Sequence, residues 1–114
     1  MIRASWEEVR ALCNGWRERR LWVDAFIIFF RSEGGTEEHS LWVLIEELSE
    51  TELCVAGENA VVCIPLRDCI FEYSEIGEAP EQLKAPRFSR FDFCLAIRSQ
   101  TVSAYFFGAR PQIE

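Results

Sequence analysis

The residues with chemistry in them are few and scattered. His39 is the only histidine among the 114 residues. A nucleophile needs a positioned base beside it, and nothing near His39 in the chain would orient its ring. It stands at the end of Ser32-Glu33-Gly34-Gly35-Thr36-Glu37-Glu38-His39, which reads as an acidic, turn-rich loop. Gly34-Gly35 is no phosphate cradle, because acids flank it and no Lys-Ser/Thr follows. The densest carboxylates are Glu46, Glu47, Glu50 and Glu52. Such a group can share acid–base work or hold a divalent cation through oxygen. Alternation along a strand, however, would send Glu46 and Glu47 to opposite faces, and a solvated turn is the expectation. No catalytic residue is assigned.

Five cysteines stand at positions 13, 54, 63, 69 and 94. Their spacing is irregular, and no CxxC pair occurs. The usual ligand spacing of a zinc site is therefore missing, and free thiols buried as small hydrophobes are expected. No metal and no cofactor is implied. Lys84, Arg87 and Arg90 form a small basic cluster that could take an anionic ligand. The chain as a whole carries a formal charge of −7, from 19 acidic and 12 basic residues. That field opposes phosphate backbones, so nucleic-acid binding is disfavoured.

These side chains need elements to carry them. Ser5-Trp6-Glu7-Glu8 has the S-x-x-E form of a capping box. Trp6, Val9, Leu12, Cys13 and Trp16 then recur at helical spacing and make one apolar stripe. A helix over about 4–18 is predicted, although Asn14-Gly15 favours an earlier stop. It should lie across a sheet or plug the end of a barrel.

The run from Trp22 to Ser74 reads as successive short strands with brief polar turns. The predicted strands are 21–31, 41–48, 53–56, 60–66, 69–75, 89–98 and 101–107. Leu21–Phe30 is apolar on both alternations, with Asp24 the exception. One of its faces should meet the core, and the other the helix or a second chain. Trp22 and Phe26 on this strand are candidates for a partner surface. Pro65 marks an edge or a bulge, because it has no N–H for a ladder. Phe91, Phe93, Leu95 and Ile97 alternate with Asp92, Cys94, Ala96 and Arg98, which predicts a half-buried strand. The stretch from Ile76 to Arg87, with Gly77, Pro80 and Pro86, reads as a long surface loop over about 76–88.

Gly57-Glu58-Asn59 signals a tight hairpin with two possible registers. A loop of Glu58-Asn59 sets Cys54 opposite Cys63. A loop of Gly57-Glu58 sets Cys54 opposite Val61.

The expected architecture is mainly β. An N-terminal helix packs on a small meandering antiparallel barrel, or on a strongly curved sheet, of six or seven strands in one domain over residues 1–114. The helix-then-strands order is similar in outline to Sm-like barrels, and the size and strand content to pleckstrin-homology-like modules. The chain carries no Sm signature and no RxxxR…[DN]xSxxG set of the PilZ type, so no family is assigned. No apolar run approaches a membrane span, and no apolar leader follows Met1–Ala4. A cytoplasmic location is the expectation. The function expected is a non-catalytic binding or protein-interaction module, with a second copy of the chain (a homodimer) or another protein as partner. The alternative is a ligand-binding barrel or small enzyme with a pocket under the 76–88 loop.

Overall fold

The computed structural model describes residues 2–75 and 93–108. Among these residues one helix, α1 (Trp6–Glu18), accompanies eight strands. These are β1 (Ile2–Arg3), β2 (Val23–Phe30), β3 (Thr36–Leu48), β4 (Glu52–Ala56), β5 (Val61–Pro65), β6 (Ile70–Glu75), β7 (Phe93–Arg98) and β8 (Val102–Gly108). All pair antiparallel in one sheet of order β1-β6-β7-β8-β2-β3-β4-β5.

α1 starts where its capping box requires. Ser5 Oγ accepts from the Glu8 N–H at 3.2 Å, and the Ser5 N–H donates to the Glu8 carboxylate at 3.2 Å. Asn14-Gly15 does not end it. The helix continues to Glu18, and Arg20 then takes the left-handed conformation at φ 51°. Leu21 N–H donates to Trp16 O and Arg20 N–H to Arg17 O, which is a Schellman closure with arginine where glycine is usual. Val9, Cys13 and Trp16 are fully buried, while Trp6 and Leu12 pack at the edge of the core. Trp6 lies 6.0 Å from the Phe71 ring. The helix thus lies on the same face of the sheet as Val23, Ala25, Ile27, Val43, Ile45, Leu53, Val55 and Ile64. Gly108 ends β8 beneath Trp16, where a Cβ would come within 2.9 Å of Val23 Cγ1 and 3.3 Å of the indole.

The expected barrel does not close. β1 and β5 are the two edges of the sheet and do not pair among the described residues. β1 has only two residues to offer as a ladder, and Pro65 of β5 has no N–H. The sheet is nonetheless strongly curved. β5 and β6 stand six places apart in the order, which in a flat sheet means about 29 Å at about 4.8 Å per strand. Only Leu66–Cys69 joins them, a link that reaches about 18 Å at most. The sheet must curl to bring them together, with α1 inside the curl.

Other expectations shift by identifiable causes. The described residues form eight strands, one more than expected, since β1 was too short to show a pattern. β3 begins at Thr36, so half of the expected acidic loop is strand, paired with β2 as Phe30↔Thr36 through Phe26↔Ser40. Only Arg31–Gly35 turns, with Gly34 at φ 93° and Gly35 at φ 87°. A bulge between Ile45 and Glu47 breaks the strict alternation, so Glu46 and Glu47 are both exposed. Phe93, Leu95 and Ile97 face the core as expected, and Arg98 faces water. Phe91 and Asp92 lie outside the described residues. β7 is, however, buried on both faces: Cys94 and Ala96 are fully covered. Each is small and has an aromatic cross-strand neighbour on β8, Cys94 beside Phe107 and Ala96 beside Tyr105. No helix of the described residues is long and apolar enough to cross a membrane.

Burial of two thiols has a consequence for alkaline stability. Desolvation pushes Cys13 and Cys94 up to about 12 from an ordinary 9.0. Above pH 9 the unfolded chain gives up these protons while the folded chain keeps them. The stability they contribute is therefore intact below pH 9 and lost as pH rises toward 12, at about 1.4 kcal/mol per pH unit for each thiol. Urea midpoints are expected to fall steadily above pH 9, and Cys13→Ala should flatten that fall. A midpoint constant across this range would show that the thiols are not desolvated.

Candidate functional site

β2 sends alternate side chains to opposite faces of the sheet. Val23, Ala25 and Ile27 face α1 and the core. Trp22, Asp24, Phe26, Ile28 and Phe30 fall on the outer face by the same alternation. Leu41 and Val43 of β3 point inward, so Trp42 between them points outward, opposite Asp24. Tyr105 of β8 stands opposite Phe26, and their rings stack with centroids 6.5 Å apart.

The outer face is consequently aromatic and only partly covered. Trp22 is 50% exposed, Trp42 43% and Phe30 43%, with Phe26, Ile28 and Tyr105 half-buried among them. From Trp22 to Phe30 the row runs about 26 Å along the strand. Its two ends differ in charge. Exposed Arg19 and Arg20 precede Trp22, whereas Glu38, opposite Ile28, is exposed near the far end. Asp24 is buried between Phe107 and Trp42, two residues in from the Trp22 end of the row.

A second cluster lies on the edge hairpin. Cys54 pairs directly with Cys63, which settles the register left open by the sequence. Gly57 N–H donates to Ala60 O at 2.7 Å, so Glu58-Asn59 is the loop. Gly57 does not take a positive φ, which a type II′ loop at Gly57-Glu58 would need. Counting from the bonded 57–60 pair makes 54–63 a non-hydrogen-bonded site, where opposed side chains lie closest. The two sulfurs are 2.7 Å apart, and Cys54 Sγ donates to the Glu52 carboxylate at 2.9 Å. Hydrogen bonding to Cys63 first, and to Glu52 second, pushes the Cys54 thiol up to about 12. The thiols, Cys54 foremost, hold the Glu52 carboxyl below its ordinary range. Together they bring one oxygen and two sulfurs within 4.8 Å of one another, a donor set that suits a soft or borderline cation such as zinc.

Of the residues singled out in the sequence, Trp22 and Phe26 stand on one exposed face, while Lys84, Arg87, Arg90 and the 76–88 loop lie outside the described residues. His39 lies in β3, edge-on to Phe29 and bonded to Glu37 at 3.1 Å, with no nucleophile bonded to it among the described residues. Glu52 leaves the acidic group to join the thiols. Sequence reasoning missed Trp42. The signal was present in Leu41-Trp42-Val43-Leu44-Ile45, where inward Leu, Val and Ile force the tryptophan outward. A cleft of about 140 Å³ lies between Arg17, Arg20, Leu44, Ile45 and Glu46. It is smaller than the roughly 300–1,000 Å³ that small-molecule sites occupy. Comparison with protein-family models, with curated proteins and with solved structures returns no match for this chain.

Proposed function

We propose that the protein is a non-catalytic interaction module that pairs with a second copy of itself through the outer face of β2, β3 and β8. The observation that carries this reading is the row Trp22, Trp42, Phe26 and Phe30, aromatic and partly exposed on a face that α1 does not cover. Scattered exposed apolar residues are ordinary on any protein, but a contiguous row of this length with charged ends is the usual form of a contact surface.

Charge supports a second copy as the occupant. Two such faces related by a two-fold axis across the strands, at the level of Trp42, run their β2 strands in opposite directions. Trp42 then meets Trp42 of the other copy, and Trp22 meets Phe26. The basic end around Arg20 comes to the acidic end around Glu38. The same patch thus complements itself, as a two-fold interface requires. Tryptophan and tyrosine at its centre are the residues that most often carry binding energy.

Dilution tests the reading through intrinsic fluorescence. Trp16 is buried in either state, whereas Trp22 and Trp42 gain water when copies separate. Emission is expected to shift to the red as the protein is diluted, with acrylamide quenching rising in step. Emission and quenching independent of concentration would contradict self-association through this face.

A further inference from the structure

We propose that Cys54 and Cys63 form a reversible disulfide that staples the edge strand β5 to β4, with a small disulfide of the glutathione class as the oxidant. The pair is directly cross-strand at a non-hydrogen-bonded site, with its sulfurs 2.7 Å apart. A disulfide needs about 2.05 Å between sulfurs. Closing the gap takes less than one ångström, and β5 is an edge strand with no neighbour on its other side among the described residues. A tetrahedral zinc, with bonds to sulfur of about 2.3 Å, would instead hold the two sulfurs about 3.8 Å apart. The present spacing lies nearer to bond formation than to shared metal ligation.

The other three cysteines do not compete. Cys13 and Cys94 are fully buried, and burial holds their protons on. Cys69 donates to Pro65 O at 3.3 Å, and burial raises it as well. Cys63 is exposed and Cys54 half-exposed, so the pair is both adjacent and reachable.

The chemistry closes in two exchanges. The Cys63 thiolate attacks one sulfur of the oxidant, forming a mixed disulfide and expelling one thiolate. Cys54 no longer has the Cys63 thiol as a hydrogen-bond partner, which removes the first cause of its raised pKa. Its thiolate attacks Cys63 Sγ, forms the intramolecular S–S bond and expels the second thiolate. The two protein thiols lose two electrons and two protons. One oxidant disulfide gains both and leaves as two thiols. Glu52, which accepts the Cys54 proton's hydrogen bond, acts as a brake on the second exchange. Exposed disulfides of this kind are more easily reduced than buried structural ones, which makes the staple reversible.

The full chain is equilibrated in glutathione buffers from fully reduced to fully oxidised. Free thiols are then alkylated, and the product is weighed intact and mapped by peptide. As the buffer becomes oxidising, a species two hydrogens lighter is expected, with two fewer alkylations, both mapping to Cys54 and Cys63. It should revert on return to reduced glutathione. Cys63→Ser should abolish it, and Glu52→Gln should accelerate ring closure several-fold near neutral pH. Five alkylations retained in oxidised glutathione would overturn the proposal. So would a lasting glutathione adduct on Cys63 without ring closure, or a disulfide mapped elsewhere. Added zinc that shields both thiols from alkylation, with no disulfide formed in oxidised glutathione once a chelator removes it, would assign the pair to metal instead.

Discussion

Trp16→Ala is expected to lower folding stability by about 3–5 kcal/mol, the largest effect of any single truncation of α1. Trp16 is fully buried, at the end of the helix that closes the curl of the sheet. Its ring rests on Gly108 and beside Val23, and its carbonyl accepts the Leu21 N–H that turns the chain into β2. Removing the indole leaves a void between helix and sheet that a strand end pinned on both sides cannot fill. Gly108→Ala probes the same contact from the other side. The added methyl meets Val23 Cγ1 at 2.9 Å, and overpacking of this kind costs about 1–3 kcal/mol. Denaturant midpoints of the two variants check both figures. Wild-type midpoints would mean that α1 does not pack on β2 and β8 as described.

Trp42→Glu is expected to weaken self-association by about 100-fold or more while leaving the monomer folded. Trp42 is 43% exposed and stands outside the core packed beneath α1, so that core stays intact without it. In the proposed pairing it stands at the two-fold axis and is lost twice. The variant also sets two carboxylates against each other at the centre of the contact. Phe30→Glu, nearer the end of the row, should weaken pairing less. An equal effect at both positions, or none at either, would place the contact elsewhere. Circular dichroism and the urea midpoint of each variant separate loss of pairing from loss of fold.

The helix and the hairpins were legible because their signals are local. Ser5 to Glu8 and the stripe from Trp6 to Trp16 contain all that α1 needs to start and to choose its buried face. The Cys54–Cys63 register was legible as one of two, because glycine at position 57 permitted a loop that the backbone does not adopt. β3 from Thr36 to Ser40 was hidden. Those residues project past the core and are largely exposed on both faces, so no hydrophobic period marks them. The double burial of β7 was hidden for the opposite reason. Alternation of Phe93, Leu95 and Ile97 with small Cys94 and Ala96 looks half-polar until Phe107 and Tyr105 are set beside them. Strand order was beyond local reading altogether. That β2 lies between β8 and β3, and β6 between β1 and β7, is decided by pairings distant in sequence.

The same distinction explains the candidate site. The two-sided apolarity of Trp22–Phe30 said that a second face needed cover. Only the fold shows that α1 lies on the core side and leaves the other face, with Trp42 and Tyr105 added to it. Glu52 was grouped with its acidic neighbours because the strand was expected to begin at residue 53; with β4 starting at Glu52, its i, i+2 spacing to Cys54 puts the two on one face.

Sedimentation equilibrium of the full chain, from low to high micromolar concentration, tests the proposed pairing most directly. The mass is expected to rise with concentration from 13.2 kDa to twice that value and to stop there, as a closed two-fold contact demands. Trp42→Glu should remain at 13.2 kDa throughout. A wild-type chain that stays at 13.2 kDa across the whole range would contradict self-association through the outer face.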